Sequence, residues 1–248
     1  MDIQKVALIT GANRGIGFET AKQLAQQGVT VVLAARQLAA AEQAAALLTG
    51  EGFKAHALQL DVTSAQDRTA AAAYLSERFG KLDILVNNAG VAPADSQSLS
   101  IGKTIDTSAE EFELIFNTNF FSIVYLTREL LPLLKKSGAG RVVNVSSILG
   151  SLTIHAQENS PIAGFQVLSY DAAKAALNMF TIHLARELEG TGIKVNSAHP
   201  GWVKTELGGL DAAPMEIIDG AKTSVALALL GEEGSTGRFV HLDQELPW

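Results

Sequence analysis

Seven short apolar runs alternate along this chain with segments of helical length, and this alternation limits the fold more than any other feature. Val6–Thr10, Thr30–Ala35, Ala55–Leu60, Ile84–Asn88, Arg141–Ser146, Ile193–His199 and Arg238–Leu242 read as strands. Most are nearly continuous in Val, Ile, Leu and Ala, the pattern of strands covered on both faces. Between them, Ile16–Gly28, Ala39–Leu48, Ala65–Phe79, Ser108–Lys135, Tyr170–Glu189 and Glu216–Leu230 read as helices. Strands joined by crossover helices pair in parallel. The expected architecture is α/β: a Rossmann-type, doubly wound, seven-stranded parallel sheet flanked by helices. No linker, repeat or charge block interrupts the 248 residues, so 1–248 reads as one domain.

Three polar, Gly/Pro-punctuated stretches break the alternation: Ala92–Thr107, Ser151–Ser169, and Gly208–Pro214 within a loop spanning 205–216. Each follows the carboxyl end of a strand, where open α/β sheets bind ligands. Residues 151–169 read as an insertion or lid, and 205–216 as a substrate loop.

Composition removes several chemistries. Cysteine is absent, which excludes disulfides, thiolate catalysis and cysteine–zinc sites. Lys and Arg number 19 against 26 Asp and Glu, a formal charge of −7, which disfavours nucleic-acid and anionic-membrane partners. The five histidines show no metal-ligand spacing, so no metal is expected. No signal-peptide pattern follows Met1 and no apolar stretch approaches membrane-spanning length, which predicts a cytoplasmic protein.

The first strand runs into Thr10-Gly11-Ala12-Asn13-Arg14-Gly15-Ile16-Gly17, and a helix starts there. A pyrophosphate needs close backbone approach and free N–H groups at a helix N-terminus, and this junction offers both. A carboxylate about 20 residues further on would accept from a ribose 2′-hydroxyl. That position holds Arg36, after Ala34 and Ala35. Arginine suits a 2′-phosphate through charge and its forked donors, and Arg14 in the loop can reach the same group. The cofactor expected is therefore NADP(H). Asp61 and Val62 end the third strand; Asp61 either accepts from the adenine amino group, beside the Val62 amide, or caps the helix starting near Ser64. Asn87, Asn88, Ala89 and Gly90 end the fourth strand, where small residues let the backbone pass the cofactor and the amides tie strand and loop together.

Tyr170 and Lys174 stand four apart at the start of a helix, on one face. A free phenol with a pKa near ~10 is a poor base, and a neighbouring ammonium favours its ionisation. The fifth strand ends in Asn144-Val145-Ser146-Ser147, where a serine hydroxyl either stabilises a developing alkoxide or caps a turn. Asn119 sits in an otherwise apolar helix, a costly place unless its amide is satisfied; a kinked turn holding a water would do so and could relay protons to Lys174.

Together these residues resemble the short-chain dehydrogenase/reductase family along essentially the whole chain. The glycine loop Thr10–Gly17, Asn87–Gly90, Asn119, Ser147, Tyr170 with Lys174, and Pro200-Gly201 occur in the family's order. The resemblance implies that Tyr170 donates the proton, Ser147 orients the carbonyl, and Lys174 and Asn119 bind ribose and relay protons. It implies that Pro200, Gly201, Val203 and Thr205 wrap the nicotinamide. Pro200-Gly201-Trp202-Val203-Lys204-Thr205 is similar to the carbonyl-reductase branch, implying NADPH-dependent ketone or aldehyde reduction, with quinones as further candidates and alcohol oxidation as the reverse. The 23 positions from Ser147 to Tyr170 exceed the span of the shortest members, and this predicts a monomer or dimer rather than a tetramer. The alternatives are a non-catalytic NADP sensor of the same fold, or a reductase of sterols or acyl-carrier-linked substrates.

Overall fold

The computed structural model describes residues 4–93 and 104–248; most of the expected 92–107 loop lies outside the described residues. Among the described residues, eight strands form one sheet: β1 (Val6–Thr10), β2 (Thr30–Ala35), β3 (Ala55–Gln59), β4 (Ile84–Asn87), β5 (Arg141–Val145), β6 (Lys194–Ala198), β7 (Phe239–His241) and β8 (Gln244–Glu245). Their spatial order is β3-β2-β1-β4-β5-β6-β7-β8. β1 pairs in parallel with both β2 and β4, which places the doubly wound reversal at the end of β1.

The parallel sheet is as expected, with one addition. The seventh strand turns back through Leu242 and pairs antiparallel with the two-residue β8. Gln244 and Glu245 are exposed and polar, so hydrophobic patterning gives them no strand signal.

Among the described residues, eight α-helices flank the sheet: α1 (Gly15–Gln26), α2 (Leu38–Gly50), α3 (Ala65–Phe79), α4 (Ala109–Phe116), α5 (Ser122–Ser137), α6 (Leu152–His155), α7 (Leu168–Glu187) and α8 (Ile217–Ala228). Alternate strand residues serve opposite faces. Ala7, Ile9, Val31 and Val143 pack with Leu24 of α1, Leu48 of α2 and Leu227 of α8. Leu8, Val32, Leu85 and Val142 pack with Leu75 of α3, Leu126 of α5 and Leu184 of α7. Because both faces are dry, both sets are apolar, which explains the near-continuous hydrophobic runs.

The helix expected over 108–135 is divided. A π-helical turn at Asn117–Phe121 separates α4 from α5, and the Ser122 amide donates to the Asn117 carbonyl five residues back. Such turns insert one residue and re-aim side chains. Here the turn directs Asn119 into the interior, where it is fully buried.

Candidate active site

All the strand ends named above open on one side of the sheet, around a cleft of about 940 Å³. Its lining includes Gly11, Asn13, Arg14, Gly15, Ile16, Gly17 and Arg36 at one end, Asp61, Val62, Asn88, Ala89 and Gly90 along the middle, and Tyr170, Lys174, Pro200 and Thr205 at the other. One elongated cavity thus joins most of the residues singled out from the sequence. Asn119, Ser147, Gly201 and Val203 are not among its lining residues.

The glycine loop is shaped by contacts that only glycine allows. Gly11 has φ +62°, in the left-handed region. A Cβ on Gly17 would lie 2.4 Å from Asn88 Nδ2 and 2.5 Å from the Gly11 carbonyl oxygen. Asn88 fills that space productively: its Nδ2 donates to the Thr10 and Gly11 carbonyls at 2.8 and 3.2 Å. The Thr10 hydroxyl accepts from the Asn88 and Ala89 amides at 3.0 and 2.9 Å. Asn87 reaches across the sheet, donating to Asn144 Oδ1 at 2.9 Å. The asparagine amides therefore tie the two strand ends to the loop.

The structure fits an anionic dinucleotide on its own terms. No side chain caps the N-terminus of α1, and its first turn contains no carboxylate. Gly15, Ile16 and Gly17 at its start line the cleft, and N–H groups at such a helix start suit a pyrophosphate. Arg36 is exposed on the cleft edge and makes no ion pair with a described residue. Arg14, expected to reach the same phosphate, instead pairs with Glu206 of the 205–216 loop. Asp61 lines the cleft, but its Oδ1 already accepts from the Thr63 amide and hydroxyl at 2.9 and 2.7 Å. The cap of α3 is Ser64, whose hydroxyl accepts from the Asp67 amide.

At the reactive end, Lys174 is buried and its Nζ donates to the Val145 carbonyl at 2.8 Å. Burial pushes its pKa down to about 8. Burial pushes the Tyr170 phenol up, the Asp171 carboxylate adds to the rise, and the Ser147 hydroxyl opposes it by hydrogen bonding. In this environment desolvation outweighs the other influences on the phenol. A neutral phenol is the form that can give up a proton. Ser147 Oγ also accepts from the Leu149 amide at 3.2 Å, so it caps a turn and touches the phenol at once.

The water expected beside Asn119 is not required to satisfy its amide. Oδ1 accepts from the Val91 amide at 2.8 Å and Nδ2 donates to the Val91 carbonyl at 2.7 Å. Asn119 therefore pins the segment after Gly90. Val203 is buried, and its carbonyl accepts from the Thr205 amide at 2.7 Å.

The 151–169 insertion lies beside the cleft. Phe165 meets Trp202 edge-on with ring centroids 5.7 Å apart, and Ser151 Oγ donates to the Pro247 carbonyl at 2.7 Å. Met179 of α7 remains 53% exposed. Glu206, Leu207 and Leu210 of the 205–216 loop do line the cleft. Sequence reasoning did not single out Glu206 or Arg68, another lining residue. Glu206 is exposed and Arg68 is buried against the Val62 carbonyl and Glu129. Each owes its place to partners distant in the chain, which local spacing does not reveal.

Among the described residues, no group of three His, Asp or Glu could hold a metal ion, and no helix is long and apolar enough to cross a membrane. The sequence pattern of the family described as short chain dehydrogenase matches residues 5–213. The chain is 36% identical to cyclopentanol dehydrogenase of Comamonas testosteroni over 227 residues, covering 92% of this chain and 81% of that one. It is 33% identical to carbonyl reductase (NADPH) 1 of Mus musculus over 290 aligned positions, with 98% of each chain covered. That alignment is longer than the present chain, so the mouse protein carries segments this one lacks. Among solved structures, NADPH-bound carbonyl reductase from chicken fatty liver superposes with a TM-score of 0.84 at 27% identity, covering 99% of both chains.

Proposed function

The chain belongs to the short-chain dehydrogenase family, and on that premise we propose that it reduces ketones and aldehydes, with quinones as further candidates, to alcohols using NADPH. The observation that carries this reading is the one cleft that joins Arg36 at one end to Tyr170 and Lys174 at the other. The similarity to carbonyl reductases named for NADPH supports it.

Gly11, Asn13, Gly15, Ile16 and Gly17 would hold the pyrophosphate, Arg14 and Arg36 the 2′-phosphate, and Asp61 with Val62 the adenine. Asn88, Ala89 and Gly90 would border the ribose, and Pro200, Gly201, Val203 and Thr205 the nicotinamide. Bound there, the cofactor supplies the hydride that the carbonyl carbon accepts. The chain's residues handle the oxygen. The Ser147 hydroxyl donates to it and favours the charge that develops there. Tyr170 is kept protonated by its surroundings and delivers its phenolic proton to that oxygen. Lys174 is anchored through the Val145 carbonyl and holds ribose hydroxyls beside the phenol. Asn119 fixes the backbone at Val91, keeping the strand end in register with the π-helical turn. Holding both reactants in one cleft supplies much of the rate. With an alcohol and the oxidised cofactor, the same groups run the proton transfer in reverse.

A panel of ketones, aldehydes and quinones, followed by NADPH absorbance, tests the proposal. Turnover of at least one class with NADPH supports it; binding of NADPH without turnover of any would favour the sensor alternative.

A further inference from the structure

His199 belongs to no step above, yet it touches both halves of the reactive end. It is the residue after β6, buried, and immediately precedes Pro200-Gly201. Its Nδ1 accepts from the Ile148 amide at 3.3 Å and from the Gly201 amide at 3.4 Å. Ile148 directly follows Ser147. A single ring nitrogen thus links the serine turn to the turn expected against the nicotinamide.

The surroundings fix which form of the ring does this. An acceptor nitrogen carries no hydrogen, so Nε2 carries it. Burial, reinforced by the neighbouring His241, pushes the pKa of His199 down to about 3. The ring is therefore neutral at working pH and Nδ1 is free to accept. His241 braces the same point: its Nδ1 faces the His199 carbonyl at 2.9 Å, and the ring centroids are 4.9 Å apart. Gly201 adopts φ +92°, and a Cβ there would lie 2.4 Å from Met215 Sδ and 3.1 Å from His241 Cε1. The turn has little room to shift on that side.

We propose that His199 is a positioning residue whose Nδ1, by accepting from Ile148 and Gly201 together, sets the separation between the serine turn and the Pro200-Gly201 turn. The inference rests on the functional reading above, in which Ser147 holds the carbonyl and Pro200-Gly201 borders the nicotinamide. Without the shared acceptor, two backbone N–H groups lose their partner and the turns separate. A misplacement of about 1 Å at a reacting centre costs up to ~10²-fold in rate.

The test compares His199→Leu, which keeps bulk and loses the acceptor, with His199→Asn, whose side-chain oxygen can replace Nδ1. The Leu variant should lose about ten- to a hundredfold in kcat, with NADPH affinity changed far less, and the Asn variant should recover most of that loss. Equal kcat values in parent, Leu and Asn proteins would overturn the proposal, as would an equal loss in both variants. Should the Leu variant fail to fold, nitrogen-15 NMR of the parent imidazole at neutral pH decides: an unprotonated, hydrogen-bonded Nδ1 is required, and a protonated Nδ1 refutes the proposal. A parent protein that binds NADPH but turns over no carbonyl would instead defeat the functional reading, and the catalytic half of this inference with it.

Discussion

The Lys174 ammonium lies 5.5 Å from the centre of the Tyr170 ring, while its hydrogen bond runs past the phenol to the Val145 carbonyl. The lysine is held by strand β5 and presented beside the tyrosine, at the cost of burying a charge. This cost has a sign that can be read from pH.

The folded pKa of Lys174, about 8, lies below the 10.5 of a free lysine. Between those values the unfolded chain holds a proton that the folded chain has released. Stability gains from this residue as pH rises through that window, and below it the penalty is fully present. Melting temperature in the apo protein should carry a component that rises from about pH 8 to about 10.5, and Lys174→Met should remove it. The variant should also be as stable as the parent or more so at pH 7, though inactive. An unchanged pH slope in Lys174→Met would contradict the assignment of a depressed lysine.

Arg36 supplies a second test. A 2′-phosphate bonded to arginine gains about 1.5–3 kcal/mol per charge-assisted hydrogen bond. Replacing Arg36 by Asp removes those bonds and sets a carboxylate against the phosphate. Activity with NADPH, measured as kcat/KM, should fall by roughly ten- to a hundredfold or more. Activity with NADH should hold or rise, because a carboxylate can accept from a free 2′-hydroxyl. A parent that prefers NADH, or a ratio unmoved by the substitution, removes Arg36 from phosphate recognition.

Glu206 pairs with Arg14 in the structure, and under the proposed NADPH reading it would compete with the 2′-phosphate for it. Glu206→Gln leaves Arg14 free. NADPH should then bind about two- to fivefold more tightly, the scale of an exposed ion pair, with NADH affinity unaltered. Fluorescence titration with both cofactors checks this; an equal change for both would show that Glu206 acts on the loop rather than on Arg14.

The sheet was legible because its strands are dry on both faces, and α3 was read to its exact ends because Ser64 and Gly80 mark them in the sequence. A kinked turn at Asn119 was legible from the cost of an asparagine in an apolar helix, but its partner was not, since Asn119 bonds Val91, 28 residues away. β8 escaped because the turn before it uses Leu242 at φ +54°, where a glycine would have announced it. The cofactor cleft followed from local motifs, each carried by a strand end. Glu206 was invisible as a participant, and His199 showed only as a neighbour of Pro200, because opposing Arg14 and joining Ile148 to Gly201 are properties of the folded chain. The rise of the Tyr170 phenol belongs to the same class: four-residue spacing shows a lysine nearby, but only the structure shows how dry the tyrosine is.

The most direct test of the central claim is the turnover of Tyr170→Phe with NADPH and a carbonyl substrate that the parent reduces. The ring and its packing remain, and only the proton is lost. NADPH affinity should change little, and kcat should fall by at least ~10²-fold, the usual worth of general acid catalysis. Near-parental turnover with intact NADPH binding would show that Tyr170 does not deliver the proton.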